Sequence, residues 1–224
     1  SPASRDLDPL GALLLGLAVL AALLPFVEAG VNGLVWISLP IGVGILLVWL
    51  WWEQRYKRLG RSPMVDLAIF RTRSFTNGSL LISLYFMGAS GVWVLVALYM
   101  QDGLGHSALD TGLVVLPSSV LSVFAALWGG RSVVRYGQMV VIGGMFSGIL
   151  GLVLSMGVVW LHSFGLASEW WLLVSLSFLG VSQGLVVSPN QALTLVEVPL
   201  RYAGSSGGIM QTGQQIGVAV GFAI

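Results

Sequence analysis

The chain has 224 residues, 56% of them hydrophobic and only 8% charged, with ten basic and nine acidic side chains and a net charge of +1. A soluble domain averages roughly 25% charged residues, so this composition excludes an ordinary water-soluble globule, and no nucleic-acid partner is expected of it. Cysteine is absent, which removes disulfides, thiolate metal sites and cysteine nucleophiles; His106 and His162, the only histidines, are too far apart in sequence to suggest a metal site.

A bilayer core of about 30 Å takes roughly 20 helical residues. Seven runs reach that length: 10–30, 33–52, 75–101, 110–134, 138–161, 170–196 and 205–224. The expectation is an all-α, polytopic helical membrane protein of about seven transmembrane helices. Leu10 to Val27 carries no charge. It is longer than the apolar core of a secretory signal and has no small-residue cleavage site, so it reads as a true span. Glu53–Ser74 is the longest polar connection. Within it, Pro63 to Phe70 is a short apolar stretch flanked by arginines, which suits a segment at the membrane interface. The chain thus divides into a tail with two helices (1–52), a cytoplasmic connection (53–74) and five helices (75–224).

Basic residues set the orientation. Arg5 lies in the N-terminal tail, and Arg55, Lys57, Arg58, Arg61, Arg71 and Arg73 follow the second span. Arg131 and Arg135 follow the fourth, and Arg201 follows the sixth. Every lysine and arginine therefore falls on alternate connections. The other three hold Glu28, Asp102, His106, Asp110, His162 and Glu169. This places the N-terminus in the cytoplasm of a multi-pass protein of the cell (plasma or inner) membrane. The chain begins at Ser1 without methionine and ends at Ile224 inside an apolar run, so it reads as a fragment of a longer polypeptide.

Pro25, Pro40, Pro117 and Pro189 lie within spans, as static kinks or as hinges. Gly144/Gly148, Gly180/Gly184 and Gly213/Gly217/Gly221 follow the small-xxx-small spacing that lets membrane helices approach closely. Gly204 to Gly208 spells G-x-S-x-G, but the hydrolase elbow needs a strand before it and a helix after it, and here it lies between two spans. No enzyme activity and no cofactor are expected.

No charge falls at mid-membrane depth, where proton and ion relays usually reside. Uncharged polar groups gather on span three (Tyr85, Trp93, Tyr99), span six (Gln183, Asn190, Gln191) and span seven (Gln211, Gln214, Gln215). An unpaired buried amide costs about 1–3 kcal/mol. These spans should therefore face one another or a wet cavity, and span five, with little beyond Ser147 and Ser155, should face lipid. Tyr85, Trp93, Gln183, Asn190 and Gln211 are the candidates for a substrate cavity suited to an amphiphilic small molecule.

After the fourth span comes Gly129-Gly130-Arg131-Ser132-Val133-Val134-Arg135-Tyr136-Gly137. This turn resembles the second-half copy of the major facilitator signature, roughly G-x-L-x-D/R-R-x-G-R/K, with Gly130, Arg135, Tyr136 and Gly137 on its framework and Arg131 beside it. Pro63 to Phe75 resembles P-L-x-D-L-x-L-F-R-x-R-x-F. Leu98 to Gln101 with Leu104-Gly105-His106-Ser107 resembles L-Y-L-Q…L-G-x-S. Gly112-Leu113…Leu116-Pro117 and Val198-Pro199…Arg201…Ala203-Gly204, leading to Gln211–Gly217, follow in order. Together these are similar to the fourteen-helix drug:proton antiporters of the major facilitator superfamily (EmrB/QacA type), C-terminal portion only. Gln138, Met139 and Gln215 stand where many relatives carry a basic residue, and Leu127 and Trp128 replace a common proline.

The resemblance implies a partial major facilitator fold. Its first two spans would be the extra helix pair between two six-helix bundles, and the remaining five most of the C-terminal bundle. The partners implied are the lipid bilayer, an amphiphilic substrate and the missing N-terminal bundle of the same polypeptide, which in the family holds the proton-linked carboxylate. Gly130, Arg131, Arg135 and Gly137 would form a cytoplasmic gate motif. The function implied is proton-coupled export of hydrophobic or cationic small molecules by alternating access. Lipid or metabolite export by the same fold, or an inactive fragment, are the alternatives; a seven-helix receptor conflicts with an internal N-terminus.

Overall fold

The structure is a computed structural model that describes residues 8–28, 33–60, 65, 67–199 and 203–223. Arg5, Arg61, Pro63, Met64, Asp66, Arg201 and Ile224 lie outside the described residues. Among the described residues there are seven α-helices and no strand: α1 (Pro9–Glu28), α2 (Ser38–Arg58), α3 (Arg73–Leu98), α4 (Ala108–Tyr136), α5 (Gln138–Ser163), α6 (Leu172–Leu195) and α7 (Ala203–Ala223). Each expected span is a helix. Five continuous helical segments (34–58, 73–103, 108–136, 138–163 and 169–195) are long and apolar enough to cross a membrane, and α1 contributes a shorter apolar run, Pro9–Pro25. Pro25, Pro117 and Pro189 lie inside helices. Pro40 is the third residue of α2, just after the 3₁₀ turn Gly33–Ile37 that runs into it.

The chain forms two compact units, Ser1–Val92 with Glu197–Ile224, and Trp93–Val196. In the second, α6 packs against both α4 and α5. Lipid is as apolar as leucine, so such contacts depend on small residues and hydrogen bonds rather than on the hydrophobic effect. A Cβ on Gly180 or Gly184 would collide with the backbone of α4 at Ser118 or Ser122. On α5, a Cβ on Gly144 would sit 2.8 Å from Leu185 Cβ, and one on Gly148 2.7 Å from Ser182 Oγ. The two serines of α5 share this face. Ser147 Oγ donates to the Phe178 carbonyl at 2.9 Å, and Ser155 Oγ donates to Ser175 Oγ at 2.9 Å. The opposite face of α5 carries Phe146, Val153 and Met156, 59–72% exposed, and is the face suited to lipid.

In the first unit, α1 and α2 cross at Gly42, where a Cβ would lie 2.7 Å from the Ala22 nitrogen. Asp8 ties their ends together. Its Oδ1 accepts from the Gly11 N–H at 2.9 Å and its Oδ2 from the Trp52 indole N–H at 3.0 Å. Helices α3 and α7 meet where Gly217 and Gly221 face the carbonyls of Ser83 and Met87, and Ser90 Oγ donates to the Val218 carbonyl at 3.2 Å. The connection after α2 contains a 3₁₀ turn, Leu67–Arg71. Its Val65 and Ile69 are buried, and Ile69 packs on Phe75 and Met210. The apolar stretch expected at the interface therefore turns part of itself into the protein.

Gly180→Ala is expected to destabilise the α4–α6 contact by about 1–3 kcal/mol through overpacking, whereas Gly157→Ala, whose Cβ meets nothing within 4 Å, should cost nothing. Thermal unfolding in detergent, followed by helical circular dichroism, checks the pair. Equal melting of the two variants would contradict the packing.

Candidate functional site

Two constellations stand out in the second unit, one at each end of α4. The first is the turn between α4 and α5. A single residue, Gly137, caps both helices, with φ 55° and ψ −133°, a region essentially reserved for glycine. Its N–H donates to the Val133 carbonyl at 2.8 Å. Earlier in the motif, a Cβ on Gly130 would lie 2.8 Å from Ser188 Oγ of α6. The stretch read from sequence as a turn is therefore mostly helix: Gly130, Arg131 and Arg135 lie in the last two turns of α4, and only Gly137 stands between α4 and α5. Both arginines are exposed. Neither forms an ion pair among the described residues, and Arg135 lies over the Tyr136 ring at 5.3 Å. The glycines fix the backbone and leave two cations displayed side by side on a helix end, where the carbonyl dipoles favour positive charge.

The second constellation was not read from sequence. A π-helical turn, Tyr99–Gly103, ends the third helix. Gly105 follows at φ 72°, and Ser107 then caps α4 in a reciprocal box with Asp110: Asp110 N donates to Ser107 Oγ at 3.2 Å, and Ser107 N donates to Asp110 Oδ2 at 3.2 Å. The L-G-x-S spacing is thereby explained as a left-handed glycine followed by a capping serine. Between these two residues, His106 projects onto Glu169. His106 Nε2 donates to Glu169 Oε1 at 3.2 Å, while His162 Nδ1 lies 3.5 Å from Glu169 Oε2 and donates to the Ala167 carbonyl at 3.1 Å. Tyr99 meets the His162 ring edge-on at 6.4 Å, and Trp170 meets His106 at 5.6 Å. Two histidines remote in sequence therefore flank one carboxylate and link the connection before α4 to the one before α6. The only hint in the sequence was that His106, His162 and Glu169 all fell on connections without lysine or arginine.

The five cavity candidates divide between the units. Tyr85 on α3 is half-buried with its ring edge-on to Phe86 at 5.9 Å, and Gln211 is exposed on α7. Trp93 is half-buried. Gln183 and Asn190 lie two turns apart on α6, the first half-buried and the second buried. The Asn190 backbone carbonyl accepts from Thr194 Oγ1 at 2.6 Å. Ser206 of the G-x-S-x-G string is fully buried inside α7, which is not the strand-to-helix turn a nucleophile elbow requires.

The Major Facilitator Superfamily profile matches residues 8–222. Among similar proteins, the "Probable actinorhodin transporter" of Streptomyces coelicolor is 26% identical over 100% of this chain and 39% of its own length. "Lincomycin resistance protein LmrB" of Listeria innocua is 30% identical over 97% of this chain and 45% of its own. "Multidrug resistance protein Stp" of Mycobacterium tuberculosis is 29% identical over 99% and 40%. The chain therefore spans less than half the length of these curated relatives.

Glu169→Gln removes the negative charge between two partly exposed imidazoles, an interaction worth about 0.2–1 kcal/mol at such exposure. Amide exchange in residues 164–168 is expected to rise about two- to fivefold over that of the unaltered chain. Unchanged exchange there would contradict a role for the carboxylate in holding the connection.

Proposed function

The chain belongs to the Major Facilitator Superfamily, and we propose that it is the C-terminal portion of a proton-coupled exporter of hydrophobic or cationic small molecules in the cell membrane, with its N-terminus in the cytoplasm. The observation that carries this reading is the match, over nearly the whole chain, to relatives whose names describe antibiotic transport and drug resistance. The alternation of every lysine and arginine onto one set of connections supports the orientation.

In this reading α1 and α2 are the linker pair, and α3 to α7 belong to the C-terminal bundle. Two bundles rock about a central site and open it to each side in turn. Arg131 and Arg135, four residues apart at the end of α4 just before the Gly137 turn, latch the cytoplasmic face to groups of the N-terminal bundle and release when that face opens. Tyr85, Trp93, Gln183, Asn190 and Gln211 contribute to the amphiphile's path, with aromatic faces for its apolar body and amides for its polar end. A proton gradient supplies the driving force through carboxylates of the N-terminal bundle.

The test is ethidium efflux by the whole transporter in proteoliposomes. An imposed pH gradient should drive ethidium transport that a protonophore abolishes. Arg131→Ala with Arg135→Ala should slow it at least tenfold at unchanged protein level. Transport indifferent to the gradient, or no transport of any hydrophobic cation, would overturn the proposal.

A further inference from the structure

The first unit encloses a cavity of about 520 Å³ between four elements: α1 at Leu15, α2 at Leu46 and Trp49, the 3₁₀ turn at Phe70, and α7 at Gly208 and Ile216. That volume lies in the range of a drug-sized ligand. Leu46, Phe70 and Ile216 are 38–43% exposed. In a bilayer such side chains face hydrocarbon, so the route in runs from the lipid. Beside α7 the space is open, since a Cβ on Gly208 would meet nothing within 4 Å. None of the five residues assigned to the amphiphile's path lines this cavity.

The wall carries no charged residue. Glu53, the only carboxylate of α2, is 1% exposed and forms no part of it. An ion brought into such a void would lose its hydration without a counter-charge, so the occupant is uncharged. Thr212 Oγ1 already donates to the Gly208 carbonyl at 2.9 Å. Trp49 differs. It is 5% exposed, and its indole N–H is buried without a hydrogen-bond partner among the described residues. A buried indole N–H ordinarily finds an acceptor, and a donor left unmade is costly. A hydroxyl would bring a donor of its own into a largely apolar wall, whereas a carbonyl brings only lone pairs.

We propose that this cavity binds an uncharged, hydrocarbon-rich molecule carrying a carbonyl group. Its apolar body lies among Leu15, Leu46 and Phe70, and its carbonyl oxygen accepts from the Trp49 indole N–H. The empty volume lets the ring tilt into the void and present that N–H to the occupant. The ester of a membrane glycerolipid and a free apolar ketone both offer this chemistry. Either would tie the α1–α2 hairpin to α7 at a place separate from the amphiphile's path. The inference rests on the chain crossing a membrane and is independent of what the transporter exports.

The test reads the indole itself. The chain, carrying isotope-labelled tryptophan, is placed in nanodiscs of diether phosphatidylcholine, a lipid without a carbonyl. The Trp49 N–H resonance, one of nine indole signals, is assigned by its loss in Trp49→Phe. Methyl nonyl ketone should move that resonance downfield and bind about tenfold more tightly than undecane, as expected when a buried donor gains its acceptor. Trp49→Phe should abolish the preference, and Gly208→Phe, which fills the void, should abolish binding with helix content unchanged. With the ketone effect in hand, exchange of the diether lipid for its diester counterpart separates the two sources. A shift without added ketone assigns the site to a lipid ester, and no shift assigns it to a free carbonyl compound. A Trp49 resonance unmoved by both ketone and diester lipid overturns the proposal, and so does undecane binding equal to that of the ketone or a shift that survives Gly208→Phe.

Discussion

Inside a bilayer there is no water to satisfy a backbone N–H or carbonyl, so each crossing segment must close its own hydrogen bonds as a helix. The same medium removes the hydrophobic drive that holds soluble helices together. What remains for the sequence to determine is which side of the membrane each turn occupies and where two helix backbones are permitted to touch. Both are written in a small number of residues: ten cations on alternate connections, and glycines spaced four apart on the helices that touch. Helix α6 shows the second device twice. Its own Gly180 and Gly184 admit α4, and its Ser182 and Leu185 are approached by Gly148 and Gly144 of α5.

These local signals were legible in the sequence. Length and apolarity located all seven helices, and each small-residue pair that was singled out lies at a helix contact. The turn motif proved to be a set of backbone requirements, with Gly137 at positive φ between two helices and the arginines displayed beside it. Even the serine and glycine of Leu104–Ser107 resolve into a cap and a left-handed turn.

What the sequence withheld was pairing over distance. The Trp52 indole reaches Asp8 from the far end of the next helix, and His106 from the connection before α4 and His162 from the last turn of α5 converge on Glu169. No spacing rule predicts either, because a polar group at a helix end has many geometrically equal partners until the helices are packed. The serines of α5 were misweighed for a related reason. As two polar groups in a long apolar run they looked incidental, yet both hydrogen-bond α6 on the face that its glycines had already committed to contact. The buried Val65 and Ile69 were read as interfacial because arginines flank them. Burial there follows from α7 returning over the connection, which no local pattern encodes.

The threading of the chain through the membrane places the arginine end of α4 on one side and the histidine–glutamate cluster on the other. The chain contains no cysteine, so single reporters can be introduced at Leu109 and Val134, both well exposed near opposite ends of α4. Labelling intact cells with a membrane-impermeant maleimide should modify Leu109→Cys directly and Val134→Cys only after the membrane is opened. Modification of both from the same compartment would contradict the topology and the exporter reading built on it.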